Sequence, residues 1–124
     1  MPKFVTGWRV DRACRDQLLK AHPPRYGRAV ADHVTLQAGV AARADPPPPA
    51  RCRIVGEADD GRGVQAMVVE IDGDTARPDG GTFHITWSLD EGRRAVESNE
   101  VIAARGWRPL DPLPVEVKPE RFAL

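Results

Sequence analysis

The sequence has little of several features that define whole classes of protein. Its 124 residues include only two cysteines, Cys14 and Cys52, which excludes a disulfide framework and argues against a cysteine-based zinc site. Neither sign of charge is in excess, because 18 Lys and Arg balance 18 Asp and Glu. A chain without net charge has no long-range field to hold long nucleic acid or an anionic membrane, so neither is expected as a partner.

Long apolar runs and long unbroken helices are also missing. No stretch approaches the roughly 18 apolar residues of a membrane span, and the first residues lack the pattern of a signal peptide. We therefore expect a cytoplasmic protein with reduced thiols. Twelve prolines and eleven glycines imply short elements, because proline breaks helices. The 41 % of hydrophobic residues favours one domain over residues 1–124, expected to be monomeric.

Apolar alternation and turn residues predict an α+β fold of mostly short strands in a curved or split antiparallel sheet, with two short outer helices. Strands are predicted over residues 4–10, 33–36, 51–57, 64–71, 82–88 and, at an edge, 113–118. Helices are predicted over residues 12–21, capped by Asp11, and 100–105, capped by Ser98 or Asn99. The Asp59-Asp60-Gly61 turn favours a hairpin, and residues 39–50, with four consecutive prolines, favour an exposed loop.

One short pattern occurs twice, as DHVTL around His33 and FHITW around His84. Residues i and i+2 of a strand face the same side, so His33 shares a face with Thr35, and His84 with Thr86. The alternate residues are apolar and form a candidate buried face: Val34, Leu36, Phe83, Ile85 and Trp87.

Two histidines and two threonines that converge would suit acid–base chemistry on a phosphodiester. Imidazole has an ordinary pKa near 6.5, so one neutral ring can take a proton from water while a protonated ring gives one to a leaving oxygen. Threonine hydroxyls can donate hydrogen bonds to phosphoryl oxygens. Such a site needs no metal and no cofactor, and none is expected here.

The paired H-x-T words resemble the signature of the two-histidine (2H) phosphoesterase superfamily, and the resemblance covers most of residues 4–89. It implies a bilobal α+β fold with a central cleft, and hydrolysis of 2′,3′-cyclic phosphates at RNA ends or in nucleotides. His33 and His84 would then be catalytic, and Thr35 and Thr86 would bind the phosphoryl oxygens. The chain is shorter than many members, so a shallower cleft is expected.

Three further residues are candidates to bind substrate. Arg25 would hold a flanking phosphate, Tyr26 would stack on a base, and Ser88 would continue the face of His84 towards the mouth of the cleft. Their simpler interpretation is a solvated basic loop and an ordinary strand end. Asp32 is expected to point away from His33.

Two other functions remain open at this point. On the same fold, the chain would be a module that binds a nucleotide or an RNA end without turning it over. Alternatively, it would be an interaction domain that presents the proline loop or its last strand to a partner.

Overall fold

A computed structural model of the protein describes residues 4–123 and shows an α+β fold with mostly antiparallel sheets. Over this range the chain forms eight strands and two helices. Their order is β1 (Phe4–Val10), α1 (Arg12–Ala21), β2 (Arg28–Ala29), β3 (His33–Val40), β4 (Cys52–Asp59), β5 (Val64–Ile71), β6 (His84–Leu89), α2 (Glu97–Arg105), β7 (Arg108–Val115) and β8 (Val117–Ala123).

The strands form two separate antiparallel sheets. The smaller sheet has the order β3-β1-β8, and the larger has the order β2-β6-β5-β4-β7. The predicted hairpin is confirmed, because β4 pairs with β5 in antiparallel register. β7 lies at an edge of the larger sheet. Its three prolines, which have no N–H to donate, are tolerated there because an edge strand pairs on one side only.

The first helix has its predicted bounds, and the second begins earlier than predicted. The Asp11 carboxylate caps α1 by accepting a hydrogen bond from the Cys14 backbone N–H at 3.0 Å. α2 begins at Glu97, so the predicted cap at Ser98 or Asn99 is wrong. The Ser98 hydroxyl lies 2.9 Å from that of Thr86 and makes no capping bond.

The larger sheet is buried on both faces at its central strand, β5, and therefore separates two groups of core residues. One face packs towards the smaller sheet and α1, through Trp8, Leu18, Val34, Met67, Val69, Ile85 and Trp87. The other packs under α2, through Ala66, Val68, Val101 and Ile102. The predicted burial of Phe83, Ile85 and Trp87 is confirmed.

The chain passes from one sheet to the other at Ala31. Before this point, the Ala31 N–H donates to the Thr86 carbonyl oxygen of β6 at 2.9 Å. Directly after it, the Asp32 carbonyl accepts from the Val10 N–H of β1 at 2.9 Å. Ala31 has a φ of 43°, which is in the left-handed region that side chains disfavour. This bend places His33, the first residue of β3, beside β6.

Several predicted boundaries are corrected by the structure. β3 continues to Val40 instead of ending at residue 36, and β2 was not predicted. The single strand predicted over residues 113–118 is two strands that divide at Glu116, whose carbonyl accepts a hydrogen bond from the Asp11 N–H at 2.9 Å. This bond turns the chain from the larger sheet into the smaller one.

Within residues 4–123, no helix combines the length and the apolar character needed to cross a membrane. The prediction of one domain covers residues 1–124, of which residues 1–3 and 124 lie outside the described residues.

Candidate active site

Both H-x-T motifs line a single cavity of about 190 Å³. His33 and Thr35 come from β3 and His84 and Thr86 from β6, so the cavity lies where the two sheets meet. The strands are not hydrogen-bonded neighbours, but they contact each other across the sheets. The rest of the lining mixes apolar and polar side chains: Val5, Val30, Asp32, Ala38, Arg77, Ala95, Val96 and Asn99.

Each histidine ring is oriented by a hydrogen bond at Nδ1. The Asp32 carboxylate lies 3.0 Å from Nδ1 of His33, and the Thr82 carbonyl oxygen lies 2.8 Å from Nδ1 of His84. Both partners are acceptors, so each Nδ1 carries a proton and donates it. A neutral ring in this tautomer has its lone pair on Nε2, and each Nε2 is then able to accept a proton.

Burial lowers the pKa of both histidines. At His33, the desolvation is partly offset by the hydrogen bond and charge of Asp32, which favour the protonated ring. At His84, burial is again the largest cause, and the positive charges of Arg77 and His33 lower the pKa further. Asp32 therefore gives His33 a stabilising counter-charge that His84 lacks at its own Nδ1.

Asp32 corrects one expectation from strand alternation. It was expected to point away from His33, yet it bonds to that ring and also accepts from Nη2 of Arg12 at 2.9 Å. The residue lies in the bend after Ala31, before β3 begins. Alternation does not apply there, because it holds only within a regular strand.

The two threonines differ in how free their hydroxyls are. The Thr86 hydroxyl is buried, lying 2.9 Å from Ser98 Oγ and 3.3 Å from the Ala95 carbonyl oxygen. Its proton therefore already has acceptors within the protein. Thr35 is half-buried on the opposite wall, and its hydroxyl makes no hydrogen bond within residues 4–123.

Arg77 and Asn99 were not anticipated and lie in the same cavity. Arg77 belongs to the turn between β5 and β6, and its side chain is only 10 % exposed. Its Nη2 donates to Asn99 Oδ1 at 2.9 Å, and its Nε donates to Asp79 at 2.8 Å. A single arginine in a Pro- and Gly-rich turn gives no periodic signal, so sequence reasoning had no means of placing it.

The structure places the other three candidate binding residues away from this cavity. Arg25 pairs with the carboxylates of Glu57 and Asp59, and the Tyr26 hydroxyl donates to Asp59 at 2.6 Å. Ser88 does not share the face of His84 and Thr86, because the pairing of β6 with β5 has a register shift between Thr86 and Ser88. Its side chain is fully buried and donates to Gln65 at 2.6 Å.

The expected position of Ser88 at the cleft mouth is therefore wrong, because the register shift turns its side chain to the face that the connector before β2 covers. The Tyr26 N–H donates to Ser88 Oγ at 3.2 Å, so residues 25–29 cover this end of β6. Arg25 and Tyr26 form part of a polar cluster around the buried Glu57, which also accepts from Arg108 and Gln65.

Comparison with family models, with curated proteins and with solved structures finds no match for this chain. Within residues 4–123, no group of three or more His, Cys, Asp and Glu side chains has an arrangement that could hold a metal ion.

Proposed function

We propose that the protein is a metal-independent phosphodiesterase of the 2H type, acting on 2′,3′-cyclic phosphates of nucleotides or RNA ends. The observation that carries the proposal is the convergence of His33, Thr35, His84 and Thr86 on one cavity. Two histidines that each present Nε2 can act as general base and general acid on one phosphorus atom. The cavity volume of about 190 Å³ suits one phosphate and its ribose.

In the proposed reaction, one neutral histidine takes a proton from water as the water oxygen bonds to phosphorus. The bond from phosphorus to one ribose oxygen breaks, and the protonated histidine gives its proton to that oxygen. The products are a phosphomonoester and a free ribose hydroxyl. Thr35, and Thr86 after its hydroxyl turns from Ser98, would donate to the non-bridging oxygens as their negative charge grows.

The surroundings of the rings favour a division of roles. Asp32 bonds directly to His33 and stabilises a proton there against the opposing charge of Arg9. At His84 the charge of Arg77 disfavours a proton, and Asp79, which makes no bond to the ring, offsets it only in part. When the pair carries a single proton, His33 therefore holds it and acts as the acid, and His84 acts as the base. Any measured titration belongs to the coupled pair.

The test is hydrolysis of a 2′,3′-cyclic nucleotide, and of a short RNA that ends in one, with EDTA present. We expect turnover by the wild type and a loss of about 10²-fold or more in His33→Ala and in His84→Ala. Circular dichroism and the thermal midpoint show whether the variants are folded. A folded wild type that binds these ligands without turnover would instead support a binding module, and loss of turnover with EDTA would contradict the metal-independent mechanism.

A cytoplasmic location and a monomeric state remain proposals alongside this function.

Cys52 is buried, and burial raises the pKa of its thiol to about 12. A thiol in that state is inert, so the proposed chemistry does not involve it.

A further inference from the structure

Arg77 is the only Lys or Arg side chain among the described residues that line the histidine cavity. A phosphodiester carries one negative charge, and a second develops when water attacks phosphorus. The histidines have lowered pKa values, and Asp32 adds a negative charge to the lining. Within the described lining, Arg77 is therefore the one permanent positive charge that can balance the charge on phosphorus, and its partner Asp79 lies outside that lining. Arg9, which also lies outside it, pairs with Asp32 and Glu120.

The hydrogen bonds of Arg77 leave part of its guanidinium free. Nε and Nη2 donate to Asp79 and Asn99, while the two N–H groups of Nη1 make no hydrogen bond to residues 4–123. The side chain is 10 % exposed, and it lines both the histidine cavity and an adjoining groove of about 460 Å³. His84 and Asn99 line both spaces as well. The guanidinium thus stands between them, next to the proposed base.

The guanidinium is held in place from two sides. Asn99 Nδ2 donates to the Val96 carbonyl at 3.0 Å, which aims its Oδ1 at Arg77. On the other side, the Asp79 carboxylate accepts from Nε at 2.8 Å, and Gly81 leaves room for the guanidinium, because a Cβ there would lie 2.7 Å from Nη2. A charge fixed before the reaction needs no reorganisation as the transition state forms.

We propose that Arg77 binds a non-bridging oxygen of the scissile phosphodiester through Nη1, and that Asn99 is the positioning residue that aims it. This inference rests on the proposed function and adds a residue that no sequence motif marks. The Arg77 guanidinium also supplies a hydrogen-bond donor on the wall where the Thr86 hydroxyl is already bonded to Ser98 and Ala95. The remainder of the substrate extends into the adjoining groove.

The test compares kcat and KM for a 2′,3′-cyclic nucleotide in Arg77→Gln, Arg77→Lys and Asn99→Ala, each checked for folding by its thermal midpoint. We expect Arg77→Gln to lose about 10²-fold or more, mainly in kcat, because the interaction strengthens in the transition state. Arg77→Lys keeps the charge but loses the planar fork that bonds Asp79 and Asn99 while leaving Nη1 free, so it recovers part of kcat. Asn99→Ala should lose about 10-fold while the charge remains.

Arg53→Gln is the matched control, because it removes one positive charge that pairs with Glu70 on a different part of the larger sheet. Activity of Arg77→Gln within about threefold of the wild type, or an equal loss in Arg53→Gln, would overturn the role of Arg77. A second arm uses nucleoside 2′- and 3′-monophosphates, with binding followed by NMR.

This binding arm separates a failure of Arg77 from a failure of the proposed function. Suppose that the wild type shows no turnover but binds a monophosphate, and that Arg77→Gln weakens this binding at least 10-fold. The phosphate-binding role of Arg77 is then supported, and the proposed phosphodiesterase activity is contradicted. If the wild type binds no monophosphate and turns over no diester, or if Arg77→Gln neither slows turnover nor weakens monophosphate binding, the inference is wrong.

Discussion

At the scale of single residues, the two histidines are alike in tautomer and different in partner. Each donates from Nδ1, His33 to a carboxylate and His84 to a backbone carbonyl. A carboxylate stabilises an imidazolium through its charge, and a carbonyl does so only through its dipole. This difference assigns the acid to β3 and the base to β6 in the proposed reaction.

The division of roles predicts how each variant responds to the leaving group. His33→Ala should lose about 10²-fold or more on a 2′,3′-cyclic nucleotide but much less on a p-nitrophenyl phosphodiester, because a stable phenolate leaves without a proton. His84→Ala should be impaired on both substrates. The hydrolysis rates of the two variants on the two substrates measure this difference. If only His84→Ala regained activity on the p-nitrophenyl substrate, the roles of acid and base would be exchanged.

Stability should also depend on these rings as the pH changes. Their pKa values are lowered by burial, so in the unfolded chain, with a pKa of about 6.5, they bind protons more readily. The free energy of unfolding should therefore be highest above about pH 6.5 and should fall as the pH drops through the lowered pKa values. Urea unfolding from pH 8 to pH 5 gives the curve, and His84→Gln should flatten it. An unchanged slope in that variant would refute the buried neutral ring.

At the scale of elements, the approach of β1 to β3 depends on Gly7. A Cβ at this position would lie 2.0 Å from the Val34 carbonyl oxygen, so any side chain would push β3 away. β1 has a register shift between Thr6 and Gly7 in its pairing with β3, next to the strand that carries His33.

Gly7→Ala should therefore lower both stability and activity. We expect a loss of about 1–3 kcal/mol in the free energy of unfolding, the usual cost of overpacking, together with a fall in kcat as His33 shifts. Gly27→Ala is the control, because nothing lies within 4 Å of the site of its added Cβ. Chemical denaturation gives the free energy of unfolding of both variants. Equal values would contradict the close approach of β1 to β3 at Gly7.

Strand alternation anticipated much of the site but not its full outline. The faces of His33 with Thr35 and of His84 with Thr86 follow from alternation, because each pair lies within a regular strand. The bend at Ala31 breaks that regularity and brings Asp32 to His33. No local pattern marks such a bend, since its conformation is set by hydrogen bonds to two different sheets.

The same reasoning explains why Ser88 was misplaced and Arg77 missed. Alternation holds only while the register is regular, and the shift between Thr86 and Ser88 turns Ser88 to the opposite face, where residues 25–29 cover it. Arg77 lies in a turn whose shape comes from short-range bonds among Arg77, Asp79 and Gly81. Its position beside His84 follows only from the packing of that turn against α2, through Asn99.

At the scale of the whole molecule, the last strand completes the environment of a residue near the start of the chain. β8 pairs with β1 along its length, and the Phe122 ring packs edge-on against His33 with centroids 4.7 Å apart. The Arg9 guanidinium also lies over the Phe122 ring, 4.4 Å from its centroid. Phe122 thus keeps water from the proposed acid.

Phe122→Ala should destabilise the fold by about 3–5 kcal/mol and raise the pKa of His33 towards its ordinary value, because water reaches the ring. The imidazole resonances followed by NMR from pH 4 to pH 8 report that change. Leu18→Ala is the control, since it opens a comparable cavity in the core beneath α1 and should leave the titration of His33 as in the wild type. If the two variants titrate alike, Phe122 has no specific effect on His33.

The pairing of β1 with β8 has a consequence for the connectivity of the chain. Phe4 lies opposite Ala123 in the register of these strands, while residues 41–43 form an exposed turn after β3. A circular permutation could link the chain after Ala123 to the chain before Phe4 and open it at residues 41–43. His84 would then precede His33 in the sequence. The cavity would be unchanged by this rearrangement, because its walls are defined by the meeting of two sheets and not by the sequence in which the chain visits them.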